Sequence, residues 1–138
     1  MKVFLDTNVL VSAVATRGLC ADVLREVLVS HQLVISAPLI EELKGVLGEK
    51  LDLPYDLISE FVEILKQNAT LSTPTALPSI DIQDKDDLTI LSSASSGEAD
   101  LFITGDKELL ELKNPGGMEI VSPRAFWEIL KAQPPHEP

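Results

Sequence analysis

The chain has 138 residues, 11 basic against 22 acidic, a net charge of −11 and a single cysteine. That length suits one domain burying roughly two-thirds of the surface of its unfolded chain, and one cysteine excludes a disulfide framework. The charge has the wrong sign for nucleic-acid binding driven by the backbone phosphates alone. No run approaches 18 uncharged apolar residues and no export signal is evident, so a soluble protein of the reducing cytoplasm, with no membrane partner, is expected.

In chain order, Lys2-Val3-Phe4-Leu5 is a short apolar run that ends in Asp6-Thr7-Asn8. Such a run reads as a buried parallel strand whose C-terminal end delivers polar groups to a crevice, the place where open α/β sheets bind ligands. Taken alone, Asp6 could simply cap a turn. A second run of the same form, Leu101-Phe102-Ile103-Thr104-Gly105-Asp106, weighs against that, with Gly105 allowing a tight approach to Asp106. The apolar run 9–14 receives no assigned element. After a break at Thr16-Arg17-Gly18, apolar residues at 19, 23, 24, 27 and 28 predict a helix over about 19–30 that buries Cys20.

Residues 33–36 form the second strand, and Pro38 opens a helix with Leu39, Ile40, Leu43, Val46 and Leu47 on one face. Periodicity separates its two adjacent acids: Glu42 falls about 95° from the centre of the apolar face and Glu41 about 165° away. Glu42 therefore sits on the shoulder and can reach a crevice, while Glu41 points to solvent. A third helix over 55–68 carries Leu57, Ile58, Phe61, Val62 and Leu65, and an irregular Pro- and Ser-rich connection follows through Pro74 and Pro78.

The cluster Asp81, Asp84, Asp86, Asp87 precedes a helix containing Leu88, Ile90, Leu91 and Ala94. Capping and the helix dipole account for one or two of these acids, not four. On a helical wheel Asp87 coincides within roughly 10° with the apolar direction and Asp86 lies about 110° off. Asp87 thus faces the sheet, where an unpaired charge is costly. The crowding leaves Asp86 open as an alternative. A turn at Pro115-Gly116-Gly117, a strand over 118–121 and a helix from Pro123 with Phe126, Trp127, Ile129 and Leu130 in the core complete the domain, residues 1–132; 133–138 are expected to be a disordered tail. His31 and His136 stand apart from each other and from the cysteine, and both are expected at the surface.

The alternation of strands and helices predicts an α/β fold: a three-layer α/β/α sandwich with a mostly parallel central sheet. Asp6, Glu42, Asp87 and Asp106 would meet at its C-terminal edge. Four carboxylates converging without a Lys or Arg partner in their motifs repel one another, and hard divalent cations, Mg²⁺ or Mn²⁺, relieve that better than zinc, for which no His or Cys is at hand.

The strand ending in Asp6-Thr7-Asn8, Ser36-Ala37-Pro38-Leu39-Ile40-Glu41-Glu42-Leu43, Asp87-Leu88-Thr89-Ile90-Leu91-Ser92-Ser93-Ala94 and Thr104-Gly105-Asp106-Lys107-Glu108-Leu109-Leu110 resemble the four acidic motifs of PIN-domain ribonucleases over about residues 2–130. Within that family the chain is most similar to stand-alone prokaryotic PIN proteins assigned as toxins of toxin–antitoxin pairs. The resemblance implies a PIN-like fold and a Mg²⁺- or Mn²⁺-dependent endoribonuclease acting on single-stranded or structured RNA. It carries over Asp6, Glu42, Asp87 and Asp106 as metal-binding, catalytic acids, with Asn8 and Thr104 supporting them, and it implies a small antitoxin protein as partner. A homodimer joining two mouths is also expected, with Arg17, Lys44, Lys85 and Lys107 as the basic residues near the mouth. Two alternatives compete: a catalytically idle PIN-like binding module, and an Asp-dependent phosphatase. The phosphatase needs an acid two residues after its nucleophile, and that place holds Asn8.

Overall fold

The computed structural model describes residues 1–74, 84–112 and 117–132. Asp81, the segment with Pro78, the Pro115-Gly116 turn and the expected tail 133–138 lie outside the described residues.

Five strands form one sheet: β1 (Lys2–Leu5), β2 (Gln32–Ser36), β3 (Ala69–Ser72), β4 (Leu101–Ile103) and β5 (Glu119–Val121). Their order is β3-β2-β1-β4-β5 and every pairing is parallel, so the sheet is parallel throughout the described residues rather than mostly so. Val3, Phe4 and Leu5 are all fully buried. Because successive residues point to opposite faces, β1 must be covered on both sides, as the three-layer fold requires. In register, Phe4 lies beside Phe102, and the two rings stack 5.4 Å apart.

The helices are α1 (Thr7–Ala15), α2 (Leu19–Ser30), α3 (Ala37–Glu49), α4 (Tyr55–Gln67), α5 (Lys85–Ser96), α6 (Lys107–Leu110) and α7 (Pro123–Ala132). α1 packs on α2 and α3, α3 on α4 and α5, and α7 returns to α2. α5 lies so close to the sheet that a Cβ added to Gly97 would sit 2.6 Å from Val34 Cγ1, and Ser72 Oγ donates to the Ser93 carbonyl at 2.6 Å.

Two elements go beyond the sequence reading. α1 occupies the unassigned run 9–14, and β3 occupies the exit from α4. Several side chains also sit differently. α4 packs through Ile58, Val62 and Leu65, so Leu57, turned about 100° from Ile58, is 53% exposed. On α7 Phe126 is fully buried, whereas Ile129 is 36% exposed and not part of the core. Cys20 is half-buried and free. His31 is half-buried at the edge of a cleft, but both ring nitrogens are buried with no hydrogen-bond partner among the described residues, and the ring meets Phe126 edge-on at 5.8 Å.

Candidate functional site

β1 has β2 on one side and β4 on the other, so the chain reverses its direction of travel across the sheet at this strand. A crevice opens beyond the strand's C-terminal end, where such switch points bind ligands. Its volume is about 480 Å³, and Asp6, Glu42, Asp87 and Asp106 all line it. The four acids come from four places: the end of β1, the second turn of α3, the first turn of α5, and the residue before α6.

Asp6 is 6% exposed and also caps α1, its Oδ1 accepting from the Thr7 N–H at 2.8 Å. Its Oδ2 accepts from Thr104 Oγ1 at 2.7 Å and from Asn8 Nδ2 at 3.1 Å. Thr104 in turn accepts from Asn8 Nδ2 at 3.2 Å and from the Asp106 N–H at 3.0 Å. The Gly105 N–H donates to Asn8 Oδ1 at 2.9 Å. Asn8 and Thr104 thereby tie the end of β1 to the turn after β4 and fix Asp6 relative to Asp106. Gly105 contributes this N–H; a Cβ there would approach Asn8 Oδ1 to 3.4 Å, an ordinary contact, so the expected need for a glycine is not observed.

The capping role and the crevice role coexist. Asp106 caps α6 through the Glu108 N–H at 2.9 Å. At α5, Asp84 is the cap, accepting from Asp86 and Asp87 N–H at 2.8 and 3.4 Å. That leaves the Asp87 carboxylate available to the crevice, while Asp86 is exposed and does not line it. Glu42 lines the crevice and Glu41 is exposed, as the helical wheel separates them.

Burial pushes the Asp6 carboxyl up; the Thr104 and Thr7 hydrogen bonds oppose this, and the Glu42 and Asp106 charges add to it. Burial likewise raises Asp87, from its ordinary 3.8 to about 6, with the charges of Asp84, Asp106, Asp6 and Glu108 contributing. Among the described residues the two ion pairs, Lys2 with Glu98 and Arg25 with Asp22, involve none of the four acids. The buried Thr7 hydroxyl has no hydrogen-bond partner there either.

An oxygen-rich, cation-poor crevice of this kind suits a hard divalent ion. Among the described residues no three His, Cys, Asp or Glu side chains are gathered closely enough to ligate one ion together. The arrangement therefore fits an ion held by one or two carboxylates that keeps several waters, as Mg²⁺ commonly does, and not a closed protein cage.

The expected basic residues fall elsewhere. None of Arg17, Lys44, Lys85 and Lys107 lines the crevice, and Lys44 lines a separate cleft between α3 and α4. The cation that does line it is Lys50, at the C-terminal end of α3. No motif marks Lys50; the signal was its spacing of eight residues from Glu42, two steps of four along one helix stripe.

A parallel sheet in this order, with an acid-lined crevice at its switch point, defines a class of α/β domain whose members can be compared directly. The family model described as PIN domain matches residues 2–108, and the chain belongs to the PIN-domain family. Among solved structures it is similar to a chain of VapBC2 from Rickettsia felis, bound to a DNA fragment from their promoter, with 19% identity and a TM-score of 0.64, covering 88% of this chain and 98% of that one. It is likewise similar to a chain of VapBC-1 from nontypeable Haemophilus influenzae, with 21% identity and a TM-score of 0.64, covering 90% and 99%. At these identities the likeness shows the fold. No curated protein matches the chain.

Proposed function

We propose that the protein is a divalent-metal-dependent endoribonuclease using Mg²⁺ or Mn²⁺, and the toxin of a toxin–antitoxin pair. The observation that carries this reading is the crevice itself: four carboxylates from four separate elements line it, and two, Asp6 and Asp87, have pKa values raised first by burial and then by neighbouring carboxylates. A structural role does not call for such a cluster, since each uncompensated carboxylate destabilises the fold.

Of Asp6, Glu42, Asp87 and Asp106, one or two would ligate the ion directly and the others would meet it through its bound waters. When bound, it supplies a positioned water of lowered pKa and neutralises charge on the scissile phosphate. The chain's own part is positioning. Thr104 and Asn8 fix the Asp6 carboxylate by two hydrogen bonds to one oxygen, and Thr104 carries the same order to Asp106. Asp87, with its carboxyl near 6, can exchange a proton close to neutral pH. The Asn8 amide is engaged with Asp6 and Thr104, so the place where a phosphatase would keep its acid is filled by a structural donor.

Its place of action in this reading is the cytoplasm; among the described residues no single helix is long and apolar enough to cross a membrane. The names of the two VapBC structures support a small antitoxin protein as partner, and the exposed Val29, Tyr55, Leu57, Ile64 and Leu71 offer apolar surface for it and for a homodimer. The test is cleavage of single-stranded RNA by purified protein with Mn²⁺ or Mg²⁺. Cleavage should stop in EDTA and in Asp6→Asn. Undiminished cleavage in either case rejects the assignment, and a protein that binds RNA and never cuts it is an idle PIN-like module. For the toxin role, induced expression should arrest growth with Asp6 intact and not with Asp6→Asn.

A further inference from the structure

The crevice does not end at its carboxylates. Along α3 its lining continues from Glu42 through Val46 to Lys50, and along α1 through Val11, Ser12 and Ala15. The α3 residues are spaced by four, so they form one stripe facing α1, against which α3 packs. Eight residues at 1.5 Å each put Lys50 about 12 Å along the helix axis from Glu42. The result is a groove between two helices with an ordered polarity: acids at one end, an aliphatic middle of Val11, Ala15 and Val46, and a cation at the other.

Lys50 is not there for the acids. At about 12 Å in water two unit charges interact by only about 0.3 kcal/mol, and the separation exceeds the Debye length of about 8 Å at physiological salt. Lys50 has no ion pair among the described residues. The dipole at the C-terminus of α3 would favour any lysine at this position, but it gives no reason for the aliphatic strip leading from the acids to it. An occupant complementary to the whole groove carries negative charge at two points with an apolar or stacking element between them. A polynucleotide strand has that sequence of groups: phosphate, ribose and base, phosphate. A crevice of about 480 Å³ lies within the roughly 300–1,000 Å³ of small-ligand pockets, room for a nucleotide or two of single strand.

We propose that Lys50 anchors a substrate phosphate displaced along the strand from the one that is cut, with the intervening ribose and base lying over Val11, Ala15 and Val46. This deepens the ribonuclease reading and rests on it. Single-stranded RNA then lies in a fixed direction along the α1–α3 groove, and the protein binds it despite a net charge of −11 because one cation is placed where one phosphate falls.

The test uses fluorescence anisotropy of a labelled single-stranded RNA with Mg²⁺ across a salt series, in an Asp6→Asn background that keeps the RNA whole. Lys50→Met should weaken binding several-fold and lower the slope of log affinity against log salt by about 0.7, the value for one phosphate contact on a single strand. Lys85→Met, which removes the same charge outside the crevice, should leave the slope unchanged. Replacing single phosphates by methylphosphonate should reveal one position whose loss mimics Lys50→Met and has no further effect in that variant. An unchanged slope, an equal effect of Lys85→Met, no such position, or no RNA binding at any salt overturns the anchor. With Asp6 intact, Lys50→Met should raise KM for RNA about tenfold and leave kcat near wild type. Cleavage with unchanged KM would overturn the anchor and leave the ribonuclease standing. A protein that shows the slope difference and never cuts RNA would do the reverse.

Discussion

At the N-terminal ends of the strands Lys2 lies between two carboxylates: its Nζ is 3.5 Å from Glu98, and its backbone N–H donates to Asp100 Oδ2 at 2.8 Å. At the C-terminal ends, four carboxylates share a crevice with no ion pair among the described residues, and two of them are pushed toward the protonated form. The same sheet thus ends in charge on both edges, but only the first edge neutralises its own. An exposed pair such as Lys2 with Glu98 is worth little, about 0.2–1 kcal/mol. At the unneutralised edge burial and like charge oppose ionisation of Asp6 and Asp87, a kind of perturbation that clusters at functional sites.

The contrast breaks most sharply at Asp6. Asp6→Asn should reduce RNA cleavage on the order of a thousandfold, since the charge stabilisation lost in a metal site is several kcal/mol and each 1.4 kcal/mol is about tenfold. Lys2→Met, at the opposite edge, should leave cleavage unchanged. Initial rates on one RNA substrate, with both proteins shown folded by circular dichroism, decide it; equal losses would mean that the site is no more than a stability feature.

Next in size is Thr104→Val. It removes the hydroxyl that serves Asp6, Asn8 and the Asp106 N–H together, so cleavage should fall about 10- to 100-fold, the range for groups that orient metal ligands. A rate within twofold of wild type would show that Asn8 alone holds Asp6.

How much of this was legible in the chain follows from which forces act locally. β1, β2 and β4 are short apolar runs ending in polar residues, and α2, α3 and α5 have clear 3.6-residue periods, so each can be read directly. The Asp87 and Glu42 placements followed from those periods, because a helix with one buried face fixes the direction of all its side chains. α1 was hidden because Val9, Leu10, Val11, Ala13 and Val14 leave almost no polar face to set a phase. β3 was hidden because an edge strand reading Ala69-Thr70-Leu71-Ser72 has little apolar signal and is positioned by pairing with β2. Lys50 was missed for a third reason: its spacing from Glu42 places both on one stripe of α3, but the groove that this stripe lines exists only once α1 and α3 pack.

The contrast sharpens at Asp87. Its native carboxyl keeps a proton that the unfolded chain gives up between pH 3.8 and about 6. Metal-free stability contributed by this group is therefore present at low pH, falls as pH rises through that window, and stays lost above it. Asp87→Asn should raise metal-free stability at neutral pH by on the order of 1 kcal/mol, a figure reduced for solvent screening of a half-buried group. Mn²⁺ should raise the Tm of the wild type, and less in Asp87→Asn than in Asp86→Asn, because binding to the native state alone stabilises it. Equal Mn²⁺ responses of the two variants in thermal melts would return the third acid to the undecided pair.

The smallest effect belongs to the neutralised edge, where His31 lines the cleft with Lys2, Glu98 and Asp100. Burial lowers its pKa below the ordinary 6.5, the N-terminal ammonium lowers it further, and the Glu26 carboxylate opposes both. The unfolded chain therefore takes up a proton as pH falls through 6.5 while the native state resists. Stability from the neutral imidazole is complete above that value and is lost progressively below it. This slope is opposite in sign to that of Asp87, so the two partly cancel in the wild type and should separate in an Asp87→Asn background. There, stability should decline from pH 7 toward about pH 5 by less than about 1 kcal/mol, the imidazole being only half-buried. His31→Leu should flatten that decline at little cost above pH 7, since the ring nitrogens make no hydrogen bonds among the described residues and the edge contact with Phe126 can be met by an aliphatic group. Chemical denaturation at a series of pH values measures the difference; a decline that survives His31→Leu would place the titrating group elsewhere.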